Sequence, residues 1–215
     1  MKGDTIDRLR SELEALIADR DRAGALRRVL DAVGSGEISI PVLHSRVLAP
    51  LLIRVGSLWQ QGAEEVWEEH YASATVRTIV EALAPIVAGL AETTGRAGVA
   101  LLACPPEEYH DLGLRMLADR FALAGWDVVF LGADVPVAQT AAAARETNAD
   151  LVVLSAATHY HRLRLREHVD TLRSLVPQAR VLVGGAAFAH GHEGWESDEL
   201  LDADALLGDL GETDA

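Results

Sequence analysis

Cysteine is nearly absent from this sequence: Cys104 is the single one among 215 residues. One thiol excludes an internal disulfide and a cysteine-based zinc site, and it fits a reducing, cytoplasmic compartment. Aromatic residues are scarce at 5%. That favours helices packed through Ala and Leu over a β-sandwich. Basic runs are missing as well. The formal net charge is −14, with no stretch of five Lys/Arg. Phosphate backbones are repelled by such a surface, so direct nucleic-acid binding is not expected. No apolar run approaches the roughly 18 residues of a membrane span, so no membrane partner is expected. The charged opening "MKGDTIDRLRSELEALIADRD" lacks the apolar stretch of a signal peptide. Neither GxGxxG nor GxxxxGK(S/T) occurs, which disfavours a nicotinamide cofactor or a P-loop nucleotide.

What is present is 49% hydrophobic residues, enough for a sizeable core. Residues 1–94 read as four or five helices. Leu9, Leu13, Leu16 and Ile17 recur at helical spacing. Gly34 and Gly36 stop the second helix. Ser39 followed by Pro41 starts another, and Pro50 opens the next, ending near Gly62. A long helix follows, with Pro85 as a kink. Short connections make these a bundle. "TTGRAG" is the linker. From residue 95 to 215 the pattern changes. Apolar runs at 99–103, 127–132, 150–156, 180–185 and 203–208 read as five buried strands. Helices at 112–125, 136–148, 163–176 and, more weakly, 193–201 alternate with them. The expected fold class is α/β: a helical bundle followed by a flavodoxin-like, doubly wound parallel sheet.

Ligands of such sheets bind outside the carboxyl ends of the strands. The loop after the first strand carries "EEYHDLG", Glu107 to Gly113. His110 is a candidate metal ligand. A ligating imidazole passes its other N–H to a carboxylate, which Glu108 or, by spacing alone, Asp111 offers. Gly113 lets backbone approach something bulky. On these residues alone, an exposed loop histidine beside helix-capping acids is the simpler reading.

"EYHDLG" resembles the (D/E)xHxxG motif of cobalamin-binding domains, and two further elements follow in order. Ser155 ends the third strand, where that family has a serine near the nucleotide tail. Its usual leucine two places on is Ala157 here. Gly184 and Gly185 end the fourth strand, where small residues make room for the tail. The resemblance implies cobalamin bound with its benzimidazole off cobalt and buried along the sheet. His110 is then the lower axial ligand, with Glu108, Tyr109, Asp111 and Gly113 around it.

Trp59 is followed by nine residues, then Glu69 and His70. "LWQQGAEEVWEEH" is similar to the Wx9EH signature of light-sensing, adenosylcobalamin-dependent regulators of the CarH type. In that family the tryptophan packs over the adenosyl group and the glutamate hydrogen-bonds it. The histidine can take the upper cobalt position after light. Val66 falls where an aliphatic side chain packs near the upper face. The resemblance implies that the bundle caps the upper corrin face. Read without it, Trp59 is a core residue and Glu69 and His70 are surface residues. Trp67 is outside the signature and reads as packing. The pairs His159/His161 and His190/His192 lack zinc spacing, and His44 and His168 read as ordinary helix positions. Cys104 reads as a small buried residue.

The implied function is an adenosylcobalamin photoreceptor, not an enzyme. Light cleaves the cobalt–carbon bond, and the domain arrangement or the oligomeric or partner state changes. Only about twenty residues precede the resembling stretch, too few for a DNA-binding domain. The expected partner is therefore a second copy or a separate regulator, with transcription reached indirectly. The chief alternative is a corrinoid methyl carrier of a methyltransferase system. A mutase subunit lacks its substrate barrel, and a flavodoxin-like module without corrinoid is the remaining reading.

Overall fold

The computed structural model describes residues 2–189 and 191–208. The chain divides into two compact units, one up to Val87 and one from Ala88. The first unit is helical. Helix α1 spans Lys2–Ala18 and α2 Arg22–Gly34. Asp21 caps α2 by accepting from the Gly24 N–H at 2.7 Å. Leu9, Leu13 and Ile17, four residues apart, are buried, as are Ala25, Val29 and Ala32 of α2. Arg28 ties the two together, 2.6 Å from Glu12 and 2.9 Å from Glu37 beyond the end of α2.

The break expected at Pro50 is not a break. Helix α3 (Ile40–Val42) runs through a π-helical segment, Leu43–Leu48, into α4 (Ala49–Gln60). Proline cannot donate to the carbonyl four residues back, and the π segment shifts the hydrogen-bond register just ahead of it. Gly62 follows α4 with φ +70°. Helix α5 spans Val66–Ala91, with Pro85 inside it. Among the described residues it is the one helix long and apolar enough to cross a membrane. Its Ala72, Val76, Ile79, Val80 and Leu83 are buried at helical spacing, so much of that apolar character belongs to the core.

The second unit is built on a parallel sheet of β1 (Gly98–Ala103), β2 (Trp126–Gly132), β3 (Leu151–Ser155) and β4 (Arg180–Gly184), in the order β2-β1-β3-β4. Strand side chains alternate between two cores. Ala100 and Leu102 of β1 face Leu114 and Phe121 of helix α6 (Leu112–Leu123). Leu101 and Ala103 face Ala141 of α7 (Val137–Glu146) and Leu165 of α8 (His159–Leu175). Gly125, between α6 and β2, is at φ +86°, and a Cβ there would lie 1.9 Å from the Gly95 carbonyl oxygen. Only glycine fits that turn.

The α/β class is as expected, but the sheet has four strands. The segment expected as a fifth strand, 203–208, contains helix α9 (Ala203–Leu207) instead. Asp202 caps it, accepting from the Ala205 N–H at 2.9 Å, and a short apolar run cannot by itself distinguish strand from helix. The helix expected around 193–201 is a series of turns. Its end lies along β4: Val183 donates to the Glu199 carbonyl at 2.9 Å, and Leu201 donates to that of Val183 at 2.8 Å. That backbone covers the sheet edge which a fifth strand would have taken. Helix α8 begins four residues earlier than the pattern predicts, because Thr158 caps it and accepts from the His161 N–H.

Candidate cobalt-ligand site at the sheet switch point

The chain leaves β1 for β2 on one side and later crosses to β3 on the other. The carboxyl ends of β1 and β3 are therefore the point where the winding reverses, the usual ligand crevice of such sheets. Two loops meet there. The first, after β1, is shaped by Glu107 at φ +69°. Its N–H donates to Asp134 Oδ1 at 2.8 Å. Asp134 in turn donates its own N–H to the Glu108 carbonyl at 3.0 Å.

Glu108 is the centre of the arrangement. Its side chain is 0% exposed while that of His110 is 66% exposed. Oε1 accepts from the His110 backbone N–H at 3.0 Å and lies 2.6 Å from His110 Nδ1. Oε2 accepts from the Ala157 N–H at 2.8 Å, across the crevice on the β3 loop. It also lies 2.8 Å from Nδ1 of His161. Burial by itself pushes this carboxyl up. The hydrogen bonds from His110 and Ala157 outweigh it and hold the pKa at about 2. Glu108 is thus ionised and offers only lone pairs, so the facing Nδ1 of His110 carries the proton. The lone pair of that imidazole is then on Nε2. A buried carboxylate behind a largely exposed imidazole is how proteins orient a metal-ligating histidine.

The expected residues fall out as follows. Glu108 takes the imidazole N–H at Nδ1. Asp111 opens α6, its carbonyl accepting from the Arg115 N–H at 2.8 Å. Tyr109 is exposed, with its hydroxyl 3.4 Å from Asp134 Oδ2. Nothing lies within 4 Å of where a Cβ on Gly113 would sit, so space is open there. Ser155 and Gly184 pair at the ends of β3 and β4. Gly185 has φ +102°, and a Cβ there would lie 2.4 Å from the Ala156 carbonyl oxygen and 2.7 Å from Ser155 Oγ. Beside these loops is a cleft of about 210 Å³ lined by Ala157, His159, Arg162, Ala186 and Ala187. Cys104 is buried behind the site, its thiol pushed up to about 12 by burial and by the charges of Glu108 and Asp111.

Sequence reasoning missed His161 and the Ala157 amide. Thr158 was the available signal: as a cap it fixes His161 in the first turn of α8, facing back towards the β1 loop. Of the other pair, His190 lies outside the described residues.

In the helical unit, Trp59, Val66 and His70 are exposed, at 44% for Trp59 and 52% for Val66. Trp59 is therefore not a core residue. Glu69 accepts from Ser73 Oγ at 2.6 Å and lies 3.5 Å from His70 Nε2. Trp67 is not core packing either: it is 52% exposed, with the Arg20 guanidinium 4.9 Å over its ring. It lines a cavity of about 320 Å³ with Leu51, Val55, Leu58 and Tyr71.

Among the described residues no group of three or more His, Cys, Asp or Glu side chains could hold a metal ion. The site offers one oriented imidazole, with open space at Gly113 and strand ends stripped of side chains at Gly184 and Gly185. Those residues fit a cobalt that brings its own macrocycle.

Known cobalamin-binding proteins match this chain in both of its units. The B12 binding domain profile matches residues 98–212, and a second B12 binding domain profile matches residues 9–84. The HTH-type transcriptional repressor CarH of Myxococcus xanthus is 34% identical over 77% of this chain, and the chain spans about half of that repressor, 54%. Dimethylamine corrinoid protein 1 of Methanosarcina acetivorans is 27% identical over 74% of this chain and 76% of its own length. The Methanosarcina barkeri monomethylamine corrinoid protein structure superposes with a TM-score of 0.76 over 97% of both chains, at 19% identity, a likeness of fold. With more than half of its length matched by that profile, the chain belongs to the B12 binding domain family, and its cofactor is a cobalamin.

Proposed function

We propose that this protein is an adenosylcobalamin-dependent light sensor that acts through a partner protein or through self-association. His110, oriented by Glu108, would hold the cofactor's cobalt through Nε2. The bound cofactor supplies a light-labile cobalt–carbon bond. Trp59 packs against the adenosyl group, with Val66 beside it, and Glu69 accepts its hydroxyl hydrogen bonds. His70 would be the imidazole available to cobalt once the adenosyl group has left.

The observation that carries the reading is the Trp59-x9-Glu69-His70 set. Trp59, Val66 and His70 are exposed side chains of the helical unit, free to meet a ligand. A methyl group needs no indole and no carboxylate acceptor. Tyr109, Asp111, Ser155, Gly184 and Gly185 serve the lower face and the nucleotide tail in this reading.

A methyl carrier is the second reading, because relatives of that kind also match: dimethylamine corrinoid protein 1 is 27% identical over 74% of this chain. Absorption spectra separate the two. The protein is mixed with adenosylcobalamin in the dark, gel-filtered, and measured before and after green light. The sensor retains a red species that shifts on illumination, with a change in elution volume. A protein that prefers methylcobalamin, and loses adenosyl no faster than free cofactor, is a carrier.

A further inference from the structure

Within the first unit, α1, α4 and α5 leave a gap where they meet. Between the end of α1, the middle of α4 and the start of α5 lies a cavity of about 320 Å³. Its apolar wall is Ile17 of α1 and Leu51, Val55 and Leu58 of α4; Trp67 and Tyr71 of α5 face them. Helix cores normally interdigitate with few voids larger than a water molecule. Small-ligand pockets begin at about 300 Å³, so this gap is large enough to be one. Trp59, Val66, Glu69 and His70 do not line it. Trp67 is half exposed, with the Arg20 guanidinium 4.9 Å over its ring, and Arg22 lies 5.3 Å over that of Tyr71.

The charged side chains at the cavity are of both signs: Glu14, Glu64 and Glu68 against Arg20 and Arg54. Arg20 lies 3.3 Å from Glu68 and Arg54 3.9 Å from Glu14, and both guanidinia are more than half exposed. Ion pairs so open to solvent are worth little, so these groups can turn to a ligand. Carboxylates accept from hydroxyl and amino groups, and guanidinia donate to ring nitrogens. A ligand with a full charge of either sign meets a like charge here. A purely apolar one strips water from carboxylates and guanidinia and gives nothing back. A flat, uncharged molecule with hydroxyls avoids both costs, its ring against Trp67. We propose that the cavity is a binding site for a purine nucleoside, separate from the Trp59–Glu69–His70 set. The base stacks on Trp67 opposite the apolar wall, and the ribose hydroxyls donate to Glu64 and Glu68. A two-ring base covers more of the indole than a one-ring base, which favours purine. The site does not depend on the light-sensor reading.

The test uses the full chain loaded with adenosylcobalamin in the dark, so that the adenosyl position of the proposed function is already filled. Tritiated adenosine is added, and bound nucleoside is measured by equilibrium dialysis, with uridine as the comparison. Adenosine is expected to bind, and uridine to bind more weakly. Trp67→Ala removes the stacking ring, and Val55→Phe fills the cavity. Each is expected to weaken adenosine binding by about tenfold or more, the usual effect of losing one base-stacking ring. No binding at millimolar adenosine overturns the proposal, as does equal binding by wild type and both variants. Uridine held as tightly as adenosine overturns the purine assignment. If circular dichroism shows that Trp67→Ala does not fold, Val55→Phe decides alone. A chain that retains no adenosylcobalamin removes the light-sensor reading and leaves this one standing. The dialysis is then run on the chain alone, and the same two variants decide.

Discussion

Glu108 Oε1 stands 2.6 Å from His110 Nδ1 within a loop that turns back on itself between the two residues. Its other oxygen reaches across to the Ala157 amide. One carboxylate therefore holds two loops at the switch point and orients one imidazole. Glu108→Gln keeps the shape but puts an NH₂ where one oxygen was. If that group faces the Ala157 N–H, donor meets donor. If it faces His110, the imidazole loses its acceptor. Either way a buried group goes unsatisfied, at about 1–3 kcal/mol. Loss of such a second partner typically weakens metal binding by about 10- to 100-fold. Titration with aquocobalamin should show that loss, and wild-type affinity in the variant would refute the role.

Gly185 yields a prediction of a different kind. Its φ of +102° is one that L side chains rarely adopt, and a Cβ would run into the Ala156 carbonyl and Ser155 Oγ. Gly185→Ala should destabilise the second unit by about 1–3 kcal/mol or more. Gly184→Ala meets only ordinary contact, 3.5 Å from Leu201 Cβ, and should change stability little. Urea unfolding of the two variants, followed by circular dichroism, compares them directly. Equal midpoints would remove the distinction between the two glycines.

Cys104 is buried and its thiol is raised to about 12, by burial first and by the charges of Glu108 and Asp111 next. At pH 8 almost none of it is thiolate. Labelling by a thiol reagent should be about a hundredfold or more slower in the native protein than in urea. Rapid native labelling would show that the ground behind the His110 loop opens readily.

How much of this was legible in the sequence depends on the length of the signal. The long amphipathic helices and the four buried strands were, because apolar periodicity persists over enough residues to be unambiguous. Ser155 and Gly184 were legible as strand ends because the strands were clear, while Glu108 and His110, in the loop after β1, stood out only through their resemblance to the (D/E)xHxxG motif. The segment 193–208 was not. Its apolar runs are short, and Asp202 turned one into a helix while the other became edge backbone. His161 was also missed as a partner, since its contact with Glu108 joins residues 53 positions apart in the chain. No local pattern encodes that.

Glu199 offers a handle on the acid stability of the second unit. It is buried, with Arg166 at 2.6 Å and Arg173 at 2.7 Å on the same oxygen. Arg166 also lies 3.8 Å over the Trp195 ring. The Arg166 hydrogen bond is the largest influence on its carboxyl; burial opposes it, the Glu196 N–H and Arg173 reinforce it, and the pKa falls to about 2. The unfolded chain has an ordinary glutamate, near 4.3. The folded form therefore gains from this group at every pH above about 4.3, and the gain is lost as pH falls towards 2. A depression of this size corresponds to an order of 3 kcal/mol. Glu199→Gln should lower the urea midpoint at pH 7 and flatten the fall in stability between pH 4.5 and about 2. Wild type and variant should converge near pH 2, where the native carboxyl is half protonated. A variant whose stability falls with acid as steeply as wild type would place the acid sensitivity elsewhere in the unit.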